Sequence, residues 1–382
     1  NQNNEGIPFA SIVVKYSGQG ASTDSAGRFI LDGINKYPFT LVVSCVGYEQ
    51  QERVIRNNAF NIILIKLELR FHKDTIIVTS RRRREALQDV PIPVSVVSGS
   101  LVDNSGAFTV NRIKELIPSV QLYTSNPRNT GLNIRGIGAP FGLTNDGLDP
   151  GVGFYVDGVY YARPAAATLD FIDIDRIEVL RGPQGTLFGK NTTAGAFNIT
   201  TRKPGFKPGV SFETGFGNYG YVQAKSSFTG PLSKKLAARL SFSGTQRDGT
   251  VENIRTLKKT NDINNLGMHA QLLFKPSENT SVLLSGDATR QRPDGYAQVI
   301  AGVVTTLRPA YRQFNSIIQD LNYRLPSLNA FDRVIDHDVP WNSDNDLGGV
   351  SVNIDTKLGP GTLTSTSAWR YWNWNPSNDR DF

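Results

Sequence analysis

The chain has 382 residues, 39% of them apolar, with 36 glycines, 20 prolines and a single cysteine. That is few apolar residues for a large buried core and many turn formers, which excludes a helical bundle and favours strands joined by turns. Cys45 alone excludes an internal disulfide framework, and the net charge of +7 has one dense run, Arg81–Arg84, without the aromatic platforms of a nucleic-acid binder. No run of about 18 apolar residues provides a transmembrane helix, but barrel strands escape that test because their alternation averages out. No leader opens the chain, as expected of a processed or trimmed sequence.

Residues 1–70 read as a small all-β unit. Ile7–Lys15, Arg28–Leu31, Phe39–Val46 and Phe60–Leu67 are strand-like runs, with Gly18-Gln19-Gly20, Asp24–Gly27 and Asp32-Gly33 as turns between them. The blocks Pro8–Ile12, Thr23–Phe29 and Val43–Tyr48 resemble the carboxypeptidase-regulatory-like β-sandwich. A strand expected just before Gly6 is missing, which places the natural start further upstream. No helical periodicity runs through residues 5–69.

A linker, 71–84, follows. It contains Asp74, Thr75, Ile76, Ile77, Val78, Thr79 and Ser80. Such a short, β-prone, lightly charged segment can stay unpaired and then add to a partner's sheet as an edge strand. Taken alone, an ordinary linker strand is the simpler reading. Arg81–Arg84 behind it reads either as a solvated face or as a device that keeps the segment extended.

Residues 85–204 form the next unit. Val94–Val97 is a predicted strand, and Val110, Ile113, Leu116 and Ile117 fall at helical spacing before Pro118 ends the helix. Val120–Leu122 and Leu132–Ile134 alternate as strands. A Gly/Pro/Asp-rich loop lies between Ile137 and Gly151, and a second covers Tyr161–Thr168. Ile172, Ile174, Ile177, Val179 and Leu180 then make an apolar run. The glycines at 182, 185, 189 and 195 call for tight turns before a second strand, Phe197–Thr201.

Three ordered blocks, Leu132–Gly138 (LNIRGIG), Phe154–Tyr160 (FYVDGVY) and Phe171–Pro204, resemble the plug domain of TonB-dependent outer-membrane receptors, the gated barrels of Gram-negative bacteria. In the Bacteroidetes a carboxypeptidase-regulatory-like module often precedes such a plug, which implies a periplasmic spacer or docking domain for residues 1–70. The position of Asp74–Ser80 just ahead of the plug implies a TonB box. Arg135 and Arg181, each directly before a glycine, resemble arginines that pair with barrel glutamates and lock the plug. A guanidinium fork on a carboxylate suits a lock that one pull can break, and the glutamates would lie beyond residue 382. The resemblance places the two loops at the extracellular apex, with Phe141, Asp146, Asp149, Tyr160, Tyr161 and Arg163 as ligand handles. Helix-containing signalling domains found in some relatives are disfavoured by the all-β N-terminus.

From residue 205 the character changes. Val210, Phe212, Thr214 and Phe216 alternate with small or polar residues, as do Leu236–Phe242, Leu266–Phe274, Val282–Ala288 and Val350–Thr356. Strands of about nine to eleven residues with apolar faces suit a membrane barrel. A soluble sandwich also alternates, so the connections decide. Pro231–Lys235, Lys275–Asn279 and Leu358–Gly361 are tight, whereas Asp248–Asn265 and Arg290–Asn345 are long, the outer-membrane pattern. Trp369, Tyr371, Trp372 and Trp374 on the last strand read as an aromatic girdle. Seven strands are too few to enclose a plug. The resemblance implies about 22, so the chain reads as the N-terminal portion of a longer receptor, with the remaining strands supplied by the rest of the chain or by another chain. Left open, the sheet would expose two unpaired edges in lipid.

Other signals are refused. Gly215–Gly220 satisfies G-x-G-x-x-G but joins two strands and opens no helix. His72, His269 and His337 are scattered, Asp170, Asp173 and Asp175 read as turn and cap residues, and Asp336-His337-Asp338 reads as a solvated loop rather than a contact for a metal chelate. No nucleophile, base and orienter can be assembled, so no enzyme activity, catalytic metal or cofactor is expected. The expected architecture is mainly β: a small β-sandwich, an α+β plug and the first strands of a transmembrane antiparallel barrel, at the outer membrane with the N-terminal unit in the periplasm. The resemblance implies uptake of a ferric siderophore or similar iron complex, powered by TonB and its inner-membrane energising complex. The rivals are a SusC-like oligosaccharide or peptide importer with a surface lipoprotein, and a non-transporting docking barrel.

Overall fold

The computed structural model describes residues 6–34, 36–45, 48, 50–57, 63–67, 76–83, 85–106, 109–124, 126, 130–138, 149–163, 170, 172–339 and 342–377. Residues 1–76 and 77–382 form two compact units.

The first unit is a four-stranded antiparallel sheet, ordered Gly20–Ser22, Ser11–Val14, Phe39–Ser44, Gln51–Ile55. The sequence misplaces two of these strands. The residue pattern gives Gly20 to a turn and no strand to Gln51–Ile55, whereas the strand-like stretches Arg28–Leu31 and 63–67 are irregular. The β-prone side chains of the latter stretches, Phe29, Leu31, Ile63 and Ile65, still pack on the core of Ile12, Leu41, Val43 and Leu67. Their residue types report burial, not ladder pairing. The expected strand from Ile7 starts only at Ser11. Phe9 stands at φ 57°, and the backbone N–H of Ala10 donates to Thr23 Oγ1 (2.7 Å) instead of continuing a ladder.

In the second unit, residues 77–204 build around a five-stranded sheet. Its order is Val159–Tyr160, Val152–Val156, Gly195–Thr201, Ile174–Arg181, Val94–Ser98, with one parallel pairing, between 152–156 and 195–201. Ser98 caps the helix Gly99–Asn104 by accepting from Leu101 N. That helix and the short helix Val110–Ile113 put Val102, Val110 and Ile113 on the sheet, against Ile177, Val179, Phe197 and Ile199. A smaller three-stranded sheet, Val120–Thr124, Thr130–Ile134 and Ile137–Gly138, closes the same core. Gly195, at φ 151°, lies so close to Leu180 O that a side chain there would meet it at 2.2 Å, as the glycine-rich spacing requires.

Residues 209–377 make a seven-stranded antiparallel sheet in chain order: Gly209–Gly217, Tyr221–Pro231, Leu236–Arg247, Ile263–Phe274, Thr280–Gln291, Asn342–Leu358 and Gly361–Ser377. One face exposes Phe212, Phe228, Leu240, Phe242, Leu266, Met268, Leu272, Leu284 and Val350. The opposite face buries Gln223, Ser227, Ser241, Ser243, Thr245, Asn265, Gln271 and Ser285. A water-soluble sandwich does the reverse. Each exposed large apolar side chain would forgo about 1.5–3 kcal/mol in water, so this face is built for lipid. The last two strands, of 17 residues each, are longer than a membrane requires and rise beyond it.

The long connections fold together on one side. Val251–Asn253 pairs with Lys258–Thr260 and, in parallel, with Val334–Ile335. Asp336 is not a solvated loop residue: it pairs with Arg255 (2.7 Å) and accepts from Tyr323 Oη (2.6 Å), and His337 is buried beside Asn253. These residues join the two loops.

Phe197 is fully buried at the centre of the plug core. Phe197→Ala is expected to destabilise that core by about 3–5 kcal/mol, read as faster proteolysis within residues 85–204 while the barrel keeps its heat-resistant mobility on gels.

Candidate functional site

The polar face of the sheet is where the plug sits, and one carboxylate organises the contact. Asp173, at φ 56° just ahead of the strand Ile174–Arg181, points at the sheet with 3% of its side chain exposed. Arg239 holds it with both Nε and Nη2, the latter at 2.7 Å, and Ser241 and Ser227 donate hydroxyls at 2.7 and 2.8 Å. Arg202, from the plug's own exit strand, adds a contact at 3.4 Å. Burial pushes this carboxyl up, but the bonds from Arg239, Ser241 and Ser227 outweigh it and hold it below the usual carboxylate range. The expected reading of Asp173 as a turn residue is therefore incomplete: its left-handed backbone aims the side chain across to the sheet.

Neighbouring contacts continue the seam. Asn265 Nδ2 donates to Asp170 Oδ1 (2.8 Å), and Gln271 Nε2 donates to Thr201 Oγ1 (3.1 Å), which donates to Asp157 Oδ2 (2.6 Å). Gly205 N donates to Thr229 Oγ1 (2.8 Å) where the chain passes from plug to sheet. Asp170 is buried with Oδ2 unpaired, and desolvation raises it to about 6 against the bonds from Asn265 and Thr245. Like Asp173, it is a contact residue rather than a simple cap.

Toward the long-loop side the seam becomes aromatic and cationic. The Arg370 guanidinium lies 4.2 Å over the Tyr161 ring while gripping Asp287, one bond measuring 2.7 Å. Arg163 lies 5.4 Å over Trp372. Trp372 and Trp374 stack nearly parallel at 6.4 Å, and their indole N–H groups donate to Asn345 and Ser343. Strand alternation corrects the expected girdle. Trp369 and Tyr371 share the exposed apolar face, whereas Trp372 and Trp374 share the face of Arg370.

The sequence-predicted handles are thus divided. Tyr161 and Arg163 meet the sheet. Tyr160 turns the other way, its ring 5.3 Å from Tyr155 and its hydroxyl accepting from Asn191. Asp149 is exposed and 3.5 Å from Lys190. Phe141 and Asp146 lie outside the described residues. Arg135 is exposed in the turn before Ile137, and Arg181 is half-buried with an unpaired Nε.

Of the predicted TonB box, Asp74 and Thr75 lie outside the described residues. Ile77–Val78 is paired with Glu85–Ala86 rather than free. Val78 and Ser80 are fully buried. Thr79 is held by Glu178, itself wholly buried: Thr79 N and Oγ1 donate to Glu178 Oε1 at 2.8 and 3.1 Å, and Arg176 Nε donates at 2.8 Å. Asn198 completes the set, donating to Thr79 Oγ1 (3.0 Å) and Glu178 Oε2 (3.2 Å). The described part of the arginine run, Arg81–Arg83, is at once a solvated face, with Arg82 and Arg83 exposed, and a clasp. Arg81 and Arg83 grip Glu85 and hold its carboxyl down at about 2, and Arg82 packs 4.4 Å over Phe188 and 5.1 Å over Tyr155.

Residues 86–196 match the TonB-dependent Receptor Plug Domain and residues 1–76 match the CarboxypepD_reg-like domain. Residues 86–196 are thereby identified as a TonB-dependent receptor plug domain. The pesticin receptor of Yersinia pestis is 28% identical over 167 residues, 43% of this chain and 24% of that protein. The ferrioxamine receptor of Yersinia enterocolitica is 26% identical over 209 residues, 54% of this chain and 28% of that protein. Among solved structures, the ferric yersiniabactin uptake receptor of Yersinia pestis superposes with a TM-score of 0.62 at 18% identity, covering 75% of this chain and 41% of that one. This chain spans about a quarter of the length of those curated relatives. The receptor's place is the outer membrane, which accounts for the apolar exposed face.

Two outcomes test the seam and the box. Because the folded-state pKa of Asp170 lies above its ordinary value, the native protein takes up a proton there that the unfolded chain does not hold between about pH 4 and 6. Stability should fall as pH rises through that window, by at most about 3 kcal/mol, and Asp170→Asn should flatten the slope in thermal melts of the purified receptor. Glu178→Gln should loosen Thr79, read as increased mobility of a spin label at residue 77. An unchanged spectrum would show that Glu178 does not restrain the segment.

Proposed function

We propose that this chain is the N-terminal portion of a receptor that imports a scarce ligand, a ferric siderophore or similar iron complex, through a barrel gated by its plug. The observation that carries the reading is the inverted sheet: apolar residues exposed to lipid on one face, polar residues buried under the plug on the other. Relatives named for ferrioxamine and ferric yersiniabactin support the ligand class. Tyr161, Arg163, Arg370 and the inward Trp372–Trp374 pair offer stacking and positive charge, which suits an anionic, partly aromatic chelate. Arg135 and Arg181 are assigned to carboxylates of strands outside this sequence.

Segment 74–80 is assigned as the TonB box. In this reading TonB, with its inner-membrane energising complex, pairs with the segment as an added strand and pulls. The strand Ile77–Val78 must first leave Glu85–Ala86, and Thr79 must leave Glu178, so the docked form is the resting one. The chemistry is binding and mechanical gating. A SusC-like importer of oligosaccharides or peptides working with a surface lipoprotein is the second reading, favoured by the CarboxypepD_reg-like match at residues 1–76.

Deletion of residues 76–80 in the full receptor should leave binding of the iron complex to whole cells intact and reduce its energy-dependent uptake to the level of cells lacking the receptor. Uptake that survives the deletion favours a docking barrel. Growth on glycans instead of rescue from iron starvation favours the SusC-like reading.

A further inference from the structure

The short-turn end of the sheet holds a cleft of about 720 Å³ whose charge the seam above does not explain. Its rim carries Lys234, Lys235, Lys275 and Lys357 against two carboxylates, Glu278 and Asp355. The backbone places these amines. Lys275 N donates to Lys235 O, one step beyond the Leu236–Phe274 pair, so the two lysines stand directly across from each other. Since Leu236 and Phe274 lie on the lipid-facing set, alternation puts Lys235 and Lys275 on the inner face. Lys357 shares the parity of the inward Leu347 and Ser351 and lies on that face too.

Like charges directly opposite on one face of a sheet are destabilising. The protein relieves the pair only in part: Lys235 Nζ donates to Pro276 O (2.7 Å), and Lys275 Nζ sits 5.5 Å over the Phe206 ring. Asp355, one of the two carboxylates of the cleft, accepts from Thr364 Oγ1 (2.7 Å). Among the described residues none of the four lysines forms an ion pair with a carboxylate. Four ammonium groups around a concave, half-open site form a receptor for an anion, not for a cation or an apolar group.

We propose that this cleft is an exit station that binds a small, multiply charged anion through its carboxylate or phosphate oxygens on the periplasmic side of the plug. The inference rests on the import reading and adds to it a second binding place for the anionic cargo, met after the plug. The short-turn end is the periplasmic end of an outer-membrane barrel, so an anionic complex that has passed the plug meets these lysines before release. Lysine suits a station better than arginine, because its mobile point charge holds a passing anion without a bidentate grip.

The test uses the full-length receptor in detergent, with ferric citrate and pyrophosphate as probes and sodium chloride at matched ionic strength as the control. Acetylation of Lys234 and Lys357, followed by mass spectrometry, should slow about threefold with either polyanion and not with chloride, the size expected of exposed ion pairs. Equal slowing by chloride would reduce the cleft to a screened surface and overturn the proposal. Protection seen only with vesicles of phosphatidylglycerol, and not with the small anions, would make it a lipid headgroup site and overturn it equally. In cells, Lys234→Gln with Lys357→Gln should leave binding of the iron complex at the surface unchanged and slow its uptake, whereas unchanged uptake counts against the station. If wild-type cells neither bind nor import the iron complex, the import reading fails, and the acetylation result still decides whether the cleft takes anions.

Discussion

The buried pair between Asp173 and Arg239 is the constraint on which the rest of the second unit depends. A carboxylate with almost no exposure is tolerable only when its charge and lone pairs are met, and here two serines and two arginines meet them. The partners come from both bodies, so the plug cannot shift at this point without leaving a charge unpaired in a dry site. Around it the contacts are weaker: single hydrogen bonds such as Asn265 to Asp170 and Gln271 to Thr201, the longer ion pair of Lys225 Nζ with Asp103 Oδ1 at 3.9 Å, and the cation–aromatic contacts of Arg370 and Arg163. One strong point in a weak polar seam gives a plug that is held in register yet separable.

The polarity of that pair also matters. The resemblance implies plug arginines on barrel carboxylates. Among the described contacts the arrangement is reversed, with the acid Asp173 on the plug and the base Arg239 on the barrel strand. Arg370 and Asp287 follow another scheme: both belong to the sheet, and the plug offers the Tyr161 ring to the guanidinium. The seam therefore changes along its length, from hydrogen-bonded charge near the short turns to aromatic and cationic stacking near the long loops.

Much of this was legible in the residue order. Period-two alternation from Val210 onward marked the strands and their lipid face, because a single barrel wall must sort its side chains residue by residue. The glycine-rich stretch around Gly182–Gly195 marked the plug turns for an equally local reason. What escaped was non-local. Nothing beside Asp173 announces Arg239, 66 residues away, and nothing beside Arg82 announces Leu187, 105 residues away, or the Phe188 ring next to it. The Trp372–Trp374 pair departs from the girdle for a reason the alternation itself carries, since counting through Arg370 puts both inward. In the N-terminal sheet, residue type marked what is buried at Phe29 and Leu31 but not which segments pair.

The passage from plug to barrel carries a geometric consequence. Between Thr201, the last residue of the plug sheet, and Gly209, the first of the wall, run about seven residues, which at full stretch reach roughly 24 Å. Two of them are prolines, and Gly205 is pinned to Thr229. The plug is on a short leash at its trailing end. Any displacement of the plug is therefore restricted at that end, where the trailing strands stay moored to the inner wall like a door to its jamb.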